Sequence, residues 1–327
     1  MKPLLILCAL LAAGATLLAQ EADLGQPPGR LIDVGGRKLH VHCMGSGSPT
    51  VVIEAGASSF ALDFSLVQPE IAWTNRVCSY DRAGMGWSDT RSAVDTPTRV
   101  VSDLRAMLAA IGERPPYVMV GASFGALYVR FYQLDRPDDV VGLVLIDPAT
   151  EDRLFTLFDG KMVTIGSLTA EQLLTTLPAS GSVPNRAGTR PPQTGAPFDR
   201  LPKGLYETRI KLDQRLIASQ GASVSADSVR ESAEANRAMF ARLLESRTAR
   251  AAPMLNTPTV VLTRGIDMTP GIAENHAGLA ALSTNSRHTV VPDAGHEIHL
   301  FAPSIVVQAI GDVSVAARQR TQLPKRP

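Results

Sequence analysis

The sequence has almost no net charge and few cysteines. Its 32 lysines and arginines nearly cancel 31 aspartates and glutamates, and no basic run stands out, which argues against a nucleic-acid-binding protein. The three cysteines form no CxxC pair and no cluster with histidine, so we expect neither a metal nor another cofactor. The fraction of hydrophobic residues, 45%, is that of an ordinary globular chain with a sizeable core.

The longest apolar run lies at the N-terminus. Lys2 is followed by the largely apolar residues 4–19. One positive charge, a short apolar core and small residues near its end are typical of a secretory signal peptide, and we predict cleavage after Ala19. The alternative, a membrane anchor, would need about 20 apolar residues. We therefore expect an exported protein, periplasmic or secreted, without stable membrane insertion after cleavage. Its remaining cysteines, Cys43 and Cys78, would meet an oxidising compartment, where cysteines often pair.

After the predicted signal peptide, strand and helix patterns alternate. Short β-rich apolar runs at residues 50–55, 117–120 and 140–146 are typical of strands buried on both faces of a parallel sheet. An apolar stripe at helical spacing covers residues 100–111 and follows Thr96-Pro97, a helix N-cap with proline at the first position. The alternation predicts an α/β fold with a mostly parallel sheet and helices on both faces.

The alternation is interrupted in the second half of the chain. Residues 150–255 contain helical stretches but no convincing strand, and the Pro-, Gly-, Ser- and Thr-rich residues 177–202 are predicted to form a long loop. We interpret this region as a helical lid inserted over the carboxyl end of the sheet. The core would then comprise residues 30–149 and 256–317, followed by a flexible tail at 318–327.

The pentapeptide Gly121-Ala122-Ser123-Phe124-Gly125 fits the pattern G-x-S-x-G between a predicted strand and a predicted helix. Such a turn is so tight that it needs small residues on both sides, and it lifts the serine hydroxyl clear of the sheet. We therefore predict Ser123 as a nucleophile. The backbone N–H groups of Phe124 and of Ala57, which lies in the loop after the strand at 50–55, are predicted to form an oxyanion hole.

A serine nucleophile needs a base, and His296 is the histidine we assign. It follows the last predicted strand, in Asp293-Ala294-Gly295-His296, on a loop that can reach the carboxyl end of the sheet. The other histidines receive no catalytic role: His40 and His42 are expected at the surface, His276 and His288 have no evident partner, and His299 is expected to face a helix or the pocket rim.

The base needs an acid, and two aspartates compete for this position. Asp267 follows the predicted strand at 259–263, and Asp147 follows the strand at 140–146, so both satisfy the chain order serine, acid, histidine. Asp147 precedes Pro148, a context in which a loop contact or a helix cap is a strong alternative. We favour Asp267 and keep Asp147 as the alternative acid.

These residues together resemble the α/β-hydrolase superfamily, in its esterase/lipase and proline-iminopeptidase-like branch, over residues 30–147 and 256–317. Residues 80–89, Tyr-Asp-Arg-Ala-Gly-Met-Gly-Trp-Ser-Asp, resemble the Y-D-x-x-G-x-G-x-S-D segment that follows the fourth strand in this branch. The resemblance implies an eight-stranded sheet with an antiparallel second strand, a helical lid and a Ser–His–acid triad. It also implies that strands two and four are neighbours, which would bring Cys43 near Cys78 and permit a disulfide.

The chain departs from the family pattern at several positions. Ala55-Gly56 stands where His-Gly is usual, and Ala122 and Ala126 stand where histidine and a second glycine are common. None of these removes a catalytic group. The segment Gly265-Ile266-Asp267 is shorter than the usual G-x-x-D, which is why Asp147 remains in competition.

The leading functional hypothesis is the hydrolysis of small-molecule carboxylic esters through an acyl-enzyme. One alternative is a proline-iminopeptidase-like aminopeptidase, which would need lid carboxylates to hold a substrate amine; the candidates are Glu171, Asp199 and Glu231. Another alternative is a non-catalytic ligand-binding protein on the same fold. Several apolar lid residues are candidates either for lining a pocket or for packing the lid: Phe155, Leu157, Phe158, Leu173, Leu174, Met239 and Phe240.

Overall fold

The computed structural model describes residues 24–90, 94–151, 154–156, 162–164, 169, 171–172, 182–183, 191–220, 224–248 and 256–326. The predicted signal peptide lies outside these residues, as do Leu157, Phe158, Leu173 and Leu174. Among the described residues, no helix combines the length and the apolar character needed to cross a membrane.

The strands form one large sheet and two small strand pairs. In chain order they are β1 (Arg30–Asp33), β2 (Lys38–Met44), β3 (Thr50–Glu54), β4 (Val77–Tyr80), β5 (Tyr117–Ala122), β6 (Val140–Ile146), β7 (Leu154–Thr156), β8 (Met162–Thr164), β9 (Ser182–Val183), β10 (Val224–Ser225), β11 (Thr259–Arg264) and β12 (Ser286–Val291). The large sheet has eight strands in the order β1-β2-β4-β3-β5-β6-β11-β12. Strand β2 is antiparallel to both of its neighbours, whereas every other pairing in this sheet is parallel. The predicted fold class is confirmed.

Helices cover both faces of the sheet. They are α1 (Gln68–Ala72), α2 (Pro97–Ala110), α3 (Gly125–Asp135), α4 (Lys203–Gln220), α5 (Ala226–Thr248), α6 (Ile272–Ala280), α7 (Ile298–Phe301) and α8 (Pro303–Gln319). Alternate residues of β5 enter two separate cores: Met119 packs with Leu127 of α3, and Val120 packs with Ile310 of α8. This alternation explains the continuous apolar runs, because both faces of each central strand are buried.

Helix α2 begins where its capping sequence predicts. The Thr96 side chain accepts a hydrogen bond from the backbone N–H of Arg99 at 3.3 Å, and Pro97 occupies the first helical position, where a missing N–H is harmless.

The described part of residues 150–255 contains α4 and α5, as the helical patterns predicted. It also contains two short antiparallel pairs, β7 with β8 and β10 with β9, where we expected no strand. Met239 and Phe240 of α5 are buried against α2 and α3 in a hydrophobic core, so they pack this helix onto the body. The predicted flexible tail is also attached, because the Leu323 N–H donates to Asn285 and Arg326 pairs with Asp312.

Cys43 and Cys78 lie directly opposite each other in the antiparallel pairing of β2 with β4. Their sulfur atoms are joined at 2.07 Å, which confirms the disulfide that the family resemblance implied. The bond connects the sheet's antiparallel strand to its parallel part.

Candidate active site

Ser123 lies between β5 and α3 in a strained backbone conformation. Its φ is 49°, in the left-handed region that a residue with a side chain rarely adopts. The flanking glycines are required sterically: a Cβ at Gly121 would lie 2.6 Å from the Ala126 Cα, and one at Gly125 would lie 2.6 Å from the Ala55 carbonyl oxygen. The tight turn therefore has the geometry that the G-x-S-x-G pattern predicts, with the serine at the carboxyl end of the central strand.

His296 connects Ser123 to a carboxylate. Its Nε2 lies 2.9 Å from the Ser123 Oγ, and its Nδ1 lies 2.5 Å from the Asp147 Oδ2. An ionised carboxylate only accepts hydrogen bonds, so Nδ1 carries the proton and Nε2 is left to accept from the serine hydroxyl. The three side chains thus form one chain of hydrogen bonds in the direction that activates a serine.

Asp147 is held by several independent contacts. Its backbone N–H donates to the Leu262 carbonyl at 2.7 Å, and its Oδ1 accepts from the Arg264 N–H at 3.1 Å. Burial alone would raise the pKa of Asp147, but the hydrogen bonds from the His296 ring and the Arg264 backbone N–H, together with the positive charge of Arg264, hold this pKa below its ordinary value. Asp147 is therefore an ionised carboxylate fixed at the carboxyl end of β6.

Asp267, the acid we favoured from sequence, is not the partner of His296. Asp267 is exposed, and both ring nitrogens of His296 are engaged elsewhere. The backbone N–H groups of Gly265 and Ile266 both donate to the Ala294 carbonyl, which ties this loop to the histidine loop while Asp267 faces solvent. The geometry corrects the choice to Asp147, and the short Gly265-Ile266-Asp267 spacing was the sequence signal for it.

Ala57 and Phe124, the residue after Ser123, both line one pocket. Within the part of the chain that the structure describes, neither backbone N–H donates a hydrogen bond. The loop that carries Ala57 passes close to Ser123, since a Cβ at Gly56 would lie 3.3 Å from the Ser123 Cβ. Both amides are available for the predicted oxyanion hole.

A buried arginine holds this loop in place, which we did not foresee. Arg82 donates from Nη1 to the Ala55 carbonyl and from Nη2 to the Gly56 carbonyl, both at 2.6 Å. Glu54, which had no assigned role, is its buried counter-ion and also accepts from the Tyr80 hydroxyl. Burial would lower the pKa of the Arg82 guanidinium, but the charge of Glu54, the hydrogen bond to it and the nearby Tyr128 and Tyr80 together hold this pKa above its ordinary value. The two carbonyls preceding Ala57 are therefore directed at Arg82.

The sequence model described as "Alpha/beta hydrolase family" matches residues 39–309. The chain belongs to this family. This alpha/beta hydrolase is 24% identical over 284 residues to the uncharacterized protein YqjL of Bacillus subtilis (strain 168), a match that covers 85% of this chain and 88% of YqjL.

Solved structures share the fold of this hydrolase. A thermophilic esterase from Thermogutta terrifontis is 21% identical with a TM-score of 0.59, over 88% of this chain and 98% of the esterase. Est816, described as an N-acyl homoserine lactone degrading enzyme, is 20% identical with a TM-score of 0.57, over 86% of this chain and 99% of Est816.

The pocket lined by Phe124, the residue after Ser123, has a volume of about 210 Å³ and a lining of both apolar and polar side chains. It is lined by Ala57, Arg82, Met85, Val94, Asp95, Phe124, Tyr128, Ser232 and Asn236. Two larger depressions, of about 590 and 340 Å³, lie near the start of β6 and along α8, at the opposite end of the sheet from Ser123.

The carboxylates proposed for an aminopeptidase lie outside this pocket. Glu171 and Asp199 are exposed, and Glu231 pairs with Arg99 at 3.2 Å on the outer surface of the hydrolase. The acidic residue that lines the pocket is Asp95, which lies outside the predicted lid.

The expectation for His40 was wrong. Its ring is fully buried and contacts Asp81 at 2.7 Å and the Pro28 carbonyl at 2.5 Å, whereas His42 is half-buried. A polar residue in an alternating strand does not reveal that an aspartate following another strand will contact it.

Three further histidines contact groups other than Ser123. His276 and His288 share a partner, since Thr263 Oγ1 lies 2.7 Å from the first and 2.8 Å from the second. His299 is fully buried, and its ring stacks on Phe64 with centroids 4.3 Å apart.

Proposed function

We propose that this alpha/beta hydrolase is a serine hydrolase that cleaves small carboxylic esters through a triad of Ser123, His296 and Asp147. The main support for this proposal is the continuous chain of hydrogen bonds, 2.9 Å from the serine oxygen to His296 and 2.5 Å from His296 to Asp147. A serine in this arrangement loses its proton to the imidazole as it attacks, which makes an otherwise weak nucleophile reactive.

The proposed reaction has two balanced halves. The Ser123 oxygen attacks the ester carbonyl while His296 Nε2 takes its proton; the carbon–oxygen bond to the alcohol then breaks, and His296 returns the proton to the departing alcohol. Water attacks the acyl-enzyme in the same way and releases the acid. Asp147 stabilises the imidazolium in both halves, and the N–H groups of Phe124 and Ala57 stabilise the oxyanion.

The size and position of the pocket support a small substrate. A volume of about 210 Å³ is below the range of pockets that enclose drug-sized ligands, about 300 to 1,000 Å³. Helix α5 supplies Ser232 and Asn236 to the lining, which supports the proposal that residues 150–255 act as a lid that determines substrate choice. An ester substrate is consistent with the names of the two solved neighbours, an esterase and a lactone-degrading enzyme, because a lactone is a cyclic ester.

A fluorophosphonate probe and two substrates test this function. We expect the purified protein to bind the probe covalently and to hydrolyse p-nitrophenyl butyrate, with both activities lost in Ser123→Ala. Ser102→Ala, an exposed serine on α2, is the matched control and should behave as the wild type. Hydrolysis of proline arylamides is measured in parallel. Hydrolysis of the arylamide in preference to the ester would favour the aminopeptidase, and absence of both labelling and hydrolysis in the wild type would favour the non-catalytic protein.

We also propose that the protein is exported and loses residues 1–19. The apolar N-terminal run and the Cys43–Cys78 disulfide support this proposal, because disulfides persist in oxidising compartments. Expression of the full chain in a secreting host, followed by N-terminal sequencing, should give Gln20 as the first residue. Retention of the complete N-terminus with three free thiols, those of Cys8, Cys43 and Cys78, would argue for an intracellular protein.

A further inference from the structure

Arg264 and His296 both contact the same oxygen atom of Asp147. The Arg264 Nε lies 2.8 Å from Asp147 Oδ2, the oxygen that His296 Nδ1 approaches at 2.5 Å. The Nε–H of Arg264 is not directed at this oxygen, so the contact is a charge pair without hydrogen-bond geometry. The backbone N–H of Arg264 meanwhile donates to the other carboxylate oxygen at 3.1 Å.

This arrangement changes the electrostatics of the triad. A carboxylate beside a catalytic histidine favours the protonated ring, which cannot accept the serine proton. Here the permanent positive charge of Arg264 already offsets much of the negative charge of Asp147, and it repels a second positive charge on the His296 ring. The Asp147 side chain is fully buried and the Arg264 side chain is only 22% exposed, so solvent screens their interaction incompletely.

The other ionisable groups that face this pair do not replace Arg264. His276 contacts the Pro148 carbonyl and faces Asp147, and burial holds its pKa below the ordinary value. On the histidine side, Glu297 is the next residue in the chain, and a carboxylate cannot supply a positive charge. Burial lowers the pKa of His299 to about 4. Both of these histidines are therefore neutral near pH 7, and Arg264 carries the permanent positive charge.

We propose that Arg264 is a positioning residue with two effects. Its backbone N–H orients Asp147, and the charge of its side chain keeps His296 unprotonated at lower pH than Asp147 alone would allow. Strand β11 would thus supply a cation to the triad, while the acid comes from the neighbouring strand β6. The proposed function is assumed only for the kinetic consequence; the effect of Arg264 on the His296 ring is a property of the folded protein.

The test compares Arg264→Gln, which removes the charge, with Arg264→Lys, which keeps it. Arg287→Gln is the matched control, because Arg287 lies on the adjacent strand β12 and pairs with Asp312. The His296 ring signal is followed by NMR against pH and assigned by its loss in His296→Gln. We expect Arg264→Gln to raise the pH midpoint of this signal by about 0.5 to 1. Arg264→Lys should show less than half of that change, and Arg287→Gln none.

The rate of fluorophosphonate labelling against pH gives the functional readout. The pH of half-maximal labelling on the acid side should rise in Arg264→Gln by the same amount as the NMR midpoint. An unchanged midpoint in Arg264→Gln, or an equal change in Arg264→Lys, overturns the proposal. If the wild type does not label at any pH, the serine-hydrolase function fails while the NMR comparison still decides the role of Arg264. Arg264→Met replaces Arg264→Gln if the latter does not fold.

Discussion

The Oδ2 atom of Asp147 lies 2.5 Å from the Nδ1 atom of His296, although 149 residues separate them in the chain. Asp147 follows β6, and its own N–H is bound to Leu262 in the neighbouring strand β11. The acid of the proposed triad thus follows β6 but is anchored by β11, the strand after which we had expected the acid.

Replacement of the two competing aspartates separates their roles. We expect Asp147→Asn to lower kcat for p-nitrophenyl butyrate by about 10³- to 10⁴-fold, because His296 would lose the anion that stabilises its protonated form. Asp267→Asn should stay within about twofold of the wild type, since Asp267 is exposed and outside the hydrogen-bond chain. A large loss in Asp267→Asn with an active Asp147→Asn would contradict the proposed triad. Thermal unfolding of both variants controls for stability.

The pocket volume predicts a preference for short acyl chains. We expect kcat/KM for p-nitrophenyl acetate and butyrate to exceed that for the octanoate by about tenfold or more, because a long chain would remain in water outside the 210 Å³ pocket. Met85→Ala removes a buried side chain from the lining and should reduce this preference. Met268→Ala, an exposed methionine outside the lining, is the control. A profile that peaks at the octanoate in the wild type would refute the prediction.

The buried ring of His299 predicts a loss of stability in acid. Burial lowers the pKa of His299 from its ordinary 6.5 to about 4, so between these values the unfolded chain binds a proton that the folded protein does not. The free energy of unfolding should therefore fall as the pH drops through this window, with about 3 kcal/mol from this residue. A carboxylate oxygen of Glu297 lies 3.7 Å from the ring but makes no hydrogen bond with it, consistent with a neutral imidazole.

Urea unfolding at pH 7 and at pH 4.5 measures this effect. The wild type should lose about 2 to 3 kcal/mol more than His299→Phe between the two pH values, since phenylalanine keeps a ring against Phe64 but does not titrate. Comparison of the two proteins cancels the contributions of other titrating groups. Equal losses would show that His299 is not protonated on unfolding in this window.

The disulfide predicts a large effect of reduction on stability. Cys43 and Cys78 are 35 residues apart in sequence, and closing a loop of this length stabilises the folded state by about 3 to 4 kcal/mol through the unfolded chain. The double variant Cys43→Ala/Cys78→Ala should lose this amount in urea unfolding. Reductant should lower the stability of the wild type and leave the double variant unchanged. A wild type indifferent to reductant would show that the bond does not constrain the unfolded chain.

The positions of the proposed nucleophile and base could be predicted from the sequence because their requirements are local. A serine between β5 and α3 needs small neighbours at Gly121 and Gly125, and these are visible in the pentapeptide itself. The apolar runs of the central strands and the capped start of α2 are local signals as well. The sheet and its two covered faces follow from them.

The choice of acid, the partner of His40 and the role of Glu54 depended on the tertiary structure. Asp147 and Asp267 follow neighbouring parallel strands, so both lie at the carboxyl end of the sheet. Asp147 contacts His296 there, whereas Asp267 is exposed in a loop whose Gly265 and Ile266 amides donate to Ala294. Thus the chain's own pattern determined which elements form and which serine and histidine stand at their ends. Tertiary packing decided which charged groups meet there, because contacts between strands far apart in sequence leave no periodic signal in either strand.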